Sequence, residues 1–532
     1  MSAVAFERLG ELFAPLDHLL ASGGDTRLAL DPATRLNGYG CRPYPRPEAI
    51  TFASSTATSI SERAYRASEA AQAALIRGAL RDGLEPAFDA RVEALRGELC
   101  NVLGLGEMGA EIVFSPSGTD SELHAVFVAR TVLGTPIASI IVASDETGSG
   151  VPYASCGKHF NSLTAQGASV EQGNPIAGLA EDMVTLSLPL RQDGGALHAL
   201  RDMDATVLDA VARMRAQGRR VLLHVMDHSK LGARCPSLGC LSQIRARWGE
   251  DVQIVVDACQ MRLGRARLRW HLEQGHMVLI TGSKFFTGPP FSGALLVPRR
   301  VAAMMARAPG IPVGLADYTS RSDWPRPWAG VRDALSEHAN FGQLLRWSAA
   351  TQEMQDYFAV PSTYRRSALA RFASTVPALI ACTDILELLP DPDRSCGDED
   401  EEMASRTIFP FLVHRAQRPL SFAQCTMLYR ALNDNVAAQL TGATAEERAL
   451  AARLCHIGQP VMLGASADDP AALRISAGAR VVAETWSAMG EDAAMTNLER
   501  EFAEVRVVLD KLVLLLRHFE AIERAERERR AA

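Results

Sequence analysis

Val278-Leu-Ile-Thr-Gly-Ser-Lys284-Phe-Phe-Thr-Gly-Pro-Pro-Phe-Ser-Gly-Ala-Leu-Leu-Val-Pro298 is the stretch that decides the fold of this chain. Two short apolar runs, Val278-Leu279-Ile280 and Ala294-Leu295-Leu296-Val297, flank a loop of Gly, Pro, Ser and Thr. A run that is apolar on both faces reads as a strand covered on both sides. Lys284 sits in the loop between them, hemmed in by small and apolar neighbours. An ordinary surface lysine fits such surroundings badly. A poorly solvated lysine amine is the kind that suits Schiff-base chemistry.

Similar runs recur upstream: Ile112-Val113-Phe114, Ile140-Ile141-Val142, Val221-Leu222-Leu223-His224-Val225 and Ile254-Val255-Val256. They alternate with helical stretches, which predicts an α/β fold with a mainly parallel, seven-stranded-type sheet between helices. A helical stretch from Ser61 to about Leu103 precedes the first of these runs, with Ala, Leu and Arg in amphipathic order. After Trp324-Pro-Arg-Pro-Trp328 the chain reads as helical to about Leu388. Thr407–His414, Val461–Leu463 and Leu473–Ser476 then read as strands of a smaller α+β domain, and Leu498–Arg530 as one long helix. The expected organisation is therefore an N-terminal segment (1–50), a large α/β domain (51–335), a small α+β domain (336–496) with an acidic insertion near 390–402, and a C-terminal helix (497–532). The acidic stretch reads as a solvated loop.

Composition sets the outer limits. The chain has 532 residues, 47% hydrophobic and 22% charged, which is ordinary for a globular protein of several domains. Its net charge of −7 gives no basic excess of the kind a general nucleic-acid binder carries. No apolar run approaches the ~18 residues of a membrane helix. The N-terminus carries Glu7, Arg8, Glu11 and Asp17 among its apolar positions, so it reads as an amphipathic helix and not as a signal peptide. None of the ten cysteines forms a CxxC pair, which points to reduced thiols in a cytoplasmic protein, and no His/Cys spacing suggests a metal.

Three further segments carry chemistry. Val113-Phe-Ser-Pro-Ser-Gly-Thr-Asp-Ser-Glu122 runs from a strand through a small polar turn into the helical Leu123–Arg130. The free amides of such a helix start, with the hydroxyls of Ser117, Thr119 and Ser121, form an anion site, although the same residues are also ordinary caps. In Ile254-Val-Val-Asp-Ala-Cys-Gln260 an aspartate closes a buried strand at the edge where open α/β sheets bind ligands. Leu473-Arg-Ile-Ser-Ala-Gly-Ala-Arg480 offers Arg474, whose planar guanidinium suits a carboxylate.

Together these segments resemble the fold-type-I pyridoxal-phosphate (PLP) enzymes of the class V aminotransferase and cysteine desulfurase-like superfamily, over roughly residues 50–300 and again near the C-terminus. Asp257-Ala258-Cys259-Gln260, Thr281-Gly282-Ser283-Lys284, Gly288-Pro289 and Gly293-Ala294-Leu295 are similar to the family's segments. The resemblance implies that Lys284 forms the Schiff base with the cofactor and later moves a proton, and that Asp257 pairs with the pyridinium nitrogen. It further implies that Gln260 bonds near the phenolic oxygen and that Gly118, Thr119, Asp120, Thr281 and Ser283 belong to the cofactor and phosphate site. Arg474 would take the substrate α-carboxylate, with Thr56 in the substrate loop.

Two positions depart from the family pattern. Asp227 stands where an asparagine faces the ring oxygen, and Thr147 where a histidine stacks on the ring. No Ser/Gly-rich loop bearing a cysteine precedes Arg474, which argues against a persulfide-forming desulfurase. The resemblance implies an enzyme acting on an amino acid, aminotransferase-like and possible in specialised metabolism. The alternatives are a lyase or a C–C or C–S bond-forming or cleaving enzyme, acting by elimination, replacement or decarboxylation, and a catalytically degenerate scaffold. It also implies a homodimer with the active site at the interface. His338, Asn340 and Tyr318–Arg321 are candidates to reach across to the neighbour's phosphate.

Overall fold

The computed structural model describes residues 3–192, 195–392, 402–464 and 466–531. Most of the acidic stretch near 390–402 lies outside the described residues. Strand β1 (Ala49–Phe52) belongs to the smaller of two sheets. The larger comprises β2 (Glu111–Ser115), β3 (Ile137–Val142), β4 (Met183–Leu188), β5 (Arg220–Met226), β6 (Val252–Asp257), β7 (Met277–Thr281) and β8 (Gly293–Val297), in the order β2-β8-β7-β6-β5-β3-β4. Only β8 runs against its neighbours, so the sheet is mainly parallel, as the apolar runs predict. The run behind β4 is the one strand of this sheet that the sequence reading misses. β4 is half-exposed at the sheet edge and lacks the continuous apolar character of the buried strands.

The smaller sheet contains β1, β9 (Leu386–Leu388), β10 (Ile408–Arg415), β11 (Arg418–Pro419), β12 (Leu454–Met462) and β13 (Ala471–Ser476). β12 is nine residues long and begins well before the predicted Val461, because Cys455, His456 and Ile457 pair with β1. Helix boundaries also differ from the sequence reading. The stretch from Ser61 is two helices, Glu62–Asp82 and Leu84–Val102, separated by Gly83 at φ 92°. A positive φ there is cheap only for glycine. The terminal helix is likewise two, Glu491–Arg517 and Phe519–Ala531, divided at His518. Among the described residues no helix is long and apolar enough to cross a membrane.

One buried helix, Phe341–Ala359, holds the parts of the site in place. It packs on Glu62–Asp82, and Trp347 donates its indole N–H to the Gly293 carbonyl at 3.0 Å. Arg346, fully buried, donates to the Phe291 carbonyl at 2.7 Å and to the carbonyls of Leu20 and Gly23, each at 3.0 Å. These bonds tie the N-terminal segment to the loop ahead of β8. Asn340 caps the helix by accepting from the Gln343 amide and donates to the Gly23 carbonyl. Tyr318 is buried, with its hydroxyl 2.6 Å from His159 Nδ1. Both side chains are thus held within the chain.

Candidate active site

All the strand ends that bear chemistry open on one edge of the large sheet. β2 ends at Ser115, β6 at Asp257 and β7 at Thr281, while the antiparallel β8 begins at Gly293 on the same edge. In open α/β sheets that edge is the ligand-binding edge. A cavity of about 340 Å³ lies there. The large sheet contributes Ser117, Gly118, Thr119, Asp257, Thr281, Ser283 and Lys284 to its wall. The small sheet adds Gln459 and Arg474, and the N-terminal part of the chain adds Arg27, Tyr39 and Thr56.

The helix Gly118–Leu133 points its N-terminus at this cavity. Ser117 caps it: its hydroxyl accepts from the Asp120 amide and donates to Asp120 Oδ2 at 2.5 Å, while the Ser117 amide donates to the same carboxylate. The amides of Gly118 and Thr119 are the first two of the helix and have no acceptor within it, so they are free for an anion. Asp120 is therefore a capping residue under the loop and does not line the cavity. Burial, with Asp25 adding, raises its carboxyl to about 7. Gly293 lets β8 pass directly beneath the loop, since a Cβ there would lie 2.3 Å from the Ser117 carbonyl carbon and oxygen. Gly282 likewise admits Ala350 of the buried helix, whose Cβ would be 2.4 Å from an added one.

Asp257 is held from two directions. Its Oδ1 accepts the Cys259 amide at 3.0 Å and its Oδ2 the Thr147 hydroxyl at 3.1 Å. Thr147, which replaces the family's stacking histidine, thus orients the carboxylate. No imidazole lines the cavity among the described residues. Lys284 follows β7, the strand next to β6, and accordingly emerges beside Asp257. Thr281 fixes the turn by donating to the Cys259 carbonyl at 2.7 Å.

Two expected residues, Asp227 and Gln260, lie off the cavity wall, and a third, Arg474, reaches it with its donors already bound. Asp227 does not face the cavity. It is fully enclosed between His228 at 2.7 Å and Arg267 at 3.2 Å. Burial alone would raise its carboxyl, but Arg267 and His228 hold it well below the usual range. The register explains this: Met226, not Asp227, is the partner of Asp257. Registered partners share a face and the next residue takes the other. Gln260 is buried behind the cavity, donating to the Ser55 carbonyl and accepting from Arg262. Arg474 reaches the wall but is only 2% exposed, and all five of its N–H groups already have acceptors. These are Gln459 O twice, Lys230 O at 3.0 Å, Ser55 O at 3.4 Å and Thr56 Oγ1 at 2.8 Å.

Arg27, Tyr39 and Lys230 are among the polar wall residues that the sequence reading misses. Arg27 forms an ion pair with Asp25, donates to the Ser117 hydroxyl and lies over the Phe291 ring at 4.8 Å. Its only sequence signal is the turn-rich Gly23-Gly24-Asp25-Thr26 before it. Lys230 lies three residues past Asp227, in a segment where only the aspartate drew notice. Burial, with the nearby cations Arg474 and Lys284 adding, lowers its amine to about 8.

No family model matches this chain, and no curated protein matches it. Solved structures do. A mutant of C-DES with glycine covalently linked to its PLP cofactor covers 86% of this chain and 97% of its own, at 14% identity and a TM-score of 0.50. A phosphoserine aminotransferase SerC from Cytophaga hutchinsonii matches over 86% of this chain and 99% of its own, at 12% identity and TM-score 0.47. The glutamate decarboxylase domain of a diaminobutyrate-pyruvate transaminase and L-2,4-diaminobutyrate decarboxylase from Vibrio parahaemolyticus matches over 86% and 81%, at 15% identity and TM-score 0.46. The first of these, with the sheet order and the strand-end site, settles the architecture: the chain has the fold of the fold-type-I PLP enzymes.

Proposed function

We propose that this chain is a PLP-dependent enzyme acting on an amino acid, and that its reaction is aminotransferase-like. One juxtaposition carries the reading: Asp257, Lys284 and the free N-terminus of the helix Gly118–Leu133 meet in one cavity. The residues present fit the cofactor. The cavity is large enough for a small ligand. The amides of Gly118 and Thr119, with the hydroxyls of Thr119 and Ser283, suit a phosphate. Asp257, already oriented by Thr147 and the Cys259 amide, suits a ring nitrogen that must stay protonated. PLP, when bound, supplies an electron sink for a pair of electrons left at the substrate's α-carbon.

The chain's own residues do the rest. Lys284 would hold the cofactor through its amine, and the same amine lines the cavity where a proton could be taken and returned. Asp257, with one donor on each oxygen, has its carboxyl group fixed in orientation and would hold the cofactor's ring nitrogen. No imidazole lines the wall among the described residues, and Lys284 is the amine that the strand ends bring beside Asp257.

The test uses the whole chain incubated with PLP, reduced with borohydride and digested. A pyridoxyl group on the peptide containing Lys284, and its absence from a Lys284→Ala variant, is the expected result. Labelling of Lys230 instead, or no label, would overturn the assignment. A panel of amino acids then separates the reactions. Formation of a 2-oxo acid with conversion of the cofactor to its amine form marks transamination. Release of ammonia or carbon dioxide marks elimination or decarboxylation. The homodimer implied by the resemblance is read by light scattering of the same preparation.

A further inference from the structure

Four basic side chains border the cavity: Arg27, Lys230, Lys284 and Arg474. They are not equivalent. Arg27 is paired with Asp25, at 2.6 Å. Lys284 is the residue assigned to the cofactor. Arg474, expected to grip the substrate's carboxylate, has all five N–H groups bound to protein acceptors, four of them backbone carbonyl contacts. A bidentate grip needs two parallel donors free at once. To offer them, this arginine would have to leave carbonyls that are buried around it, and unpaired buried carbonyls are costly.

Lys230 is different. Its ammonium has no hydrogen-bond acceptor and no ion-pair partner among the described residues, although it sits on the cavity wall. Of the two carboxylates whose charge it feels, one is paired with a cation and the other is oriented by neutral donors, and neither bonds its ammonium. Glu146 is bound to Arg191 at 2.6 Å and to the Ser229 hydroxyl. Asp257 is bound to Thr147 and the Cys259 amide. The backbone of Lys230 is fixed at both ends: its N–H donates to the Glu146 carbonyl at 3.2 Å, and its C=O accepts from Arg474 at 3.0 Å. Arg474 thus braces the segment that carries the free amine. A charged amine on a backbone anchored at both ends, facing the cavity with no protein partner among the described residues, is a prepared anion site.

We propose that Lys230, and not Arg474, receives the substrate's carboxylate, with Arg474 acting as a positioning residue that brackets the Lys230 backbone. This rests on the PLP reading of the cavity and makes the substrate a carboxylate-bearing amine, as distinct from a simple amine.

The experiment is calorimetric titration of the PLP-loaded protein with glutarate, and with its uncharged analogue glutaramide, on wild type, Lys230→Gln and Lys230→Arg. The visible cofactor band reports loading in each protein. Removing one charge-assisted bond should weaken glutarate about tenfold or more in Lys230→Gln. Lys230→Arg should restore most of it, and glutaramide should not distinguish the three. Glutarate affinity unchanged in Lys230→Gln, or wild type binding glutarate no better than glutaramide, would overturn the proposal. A wild type that never acquires the visible band would refute the cofactor reading alone, and the same titration of the unloaded chain would still decide for or against Lys230.

Discussion

Substituting Gly118 by alanine probes the packing of the anion loop directly. The added Cβ would lie 2.7 Å from Cys259 Sγ and 3.3 Å from Thr281 Cγ2. Comfortable contact is about 3.5–4.0 Å, so close to 1 Å must be found. The Cys259 backbone cannot supply it, because its amide is bound to Asp257 and its carbonyl to Thr281. The strain therefore falls on the loop itself, at about 1–3 kcal/mol as for other overpacked sites. Cys259→Ala removes the offending sulfur and leaves a Cβ 3.7 Å from the new one, an ordinary contact. Alone, that change costs about 1 kcal/mol of buried contact. In the double variant the clash with sulfur is gone and only the 3.3 Å approach to Thr281 Cγ2 remains, so the two effects should couple by roughly 1–2 kcal/mol in the favourable direction. Urea unfolding of the four proteins measures the cycle, and PLP affinity should follow the same pattern because the loop carries the free amides. Costs that simply add, within about 0.5 kcal/mol, would refute the geometry. Gly293→Ala serves as the contrast. Its Cβ meets backbone atoms of Ser117 at 2.3 Å, which no side-chain deletion can relieve.

Other predictions concern charge. His124, His271, His276 and His456 are buried, and burial lowers them to about 3, 4, 3 and 4. The unfolded chain binds their protons first, so stability falls as pH drops below about 6.5, with up to about 2 kcal/mol lost per histidine by pH 5. His124→Leu should flatten the thermal-stability profile over that range, and a profile parallel to wild type would sink the argument. Asp120 behaves oppositely. Its folded carboxyl is raised to about 7, so ionising it costs stability from the ordinary carboxylate range upward, and fully so above about 7. Asp120→Asn, which still accepts from Ser117, should gain on wild type between pH 5 and pH 8, as read by melting temperature. Arg474→Lys supplies three donors where four buried acceptor atoms are bound, leaving at least one of them without this donor, and should lower stability by about 1–3 kcal/mol in urea.

The parts of this molecule that were legible in the sequence are those governed by local chemistry. Runs such as Ile254-Val-Val and Val278-Leu-Ile are apolar because both faces of the strand are covered, so they announce a buried parallel sheet wherever they occur. Asp257 and Lys284 stand out because each is a charged residue at the end of such a run. β4 escaped notice because an edge strand needs only one covered face. Val184 and Thr185 are exposed there, and the run blends with the loops around it. Arg27 and Tyr39 escaped for another reason. They come from loops with no periodic pattern, and contacts distant in sequence, among them those of Arg346 and Asn340 with the Leu20 and Gly23 carbonyls, bring that segment to the cavity.

Asp227 and Lys230 mark the boundary between the two kinds of information. Sequence position alone put Asp227 at the mouth of the site, and strand phase put its side chain on the other face. The consequence is electrostatic. A carboxylate in the cavity at that point would have neutralised Lys230. With Asp227 turned to His228 and Arg267, and with Glu146 bound by Arg191, two carboxylates of this region are already paired with cations, and Asp257 is held by the neutral donors Thr147 and the Cys259 amide. Asp227 therefore lies off the cavity wall. It anchors the segment from β5 to Lys230 from behind while leaving the amine free in front. A site arranged in this way requires an anion from its ligand, and the geometry of the β5 end, more than the identity of any one motif, determines where that anion binds.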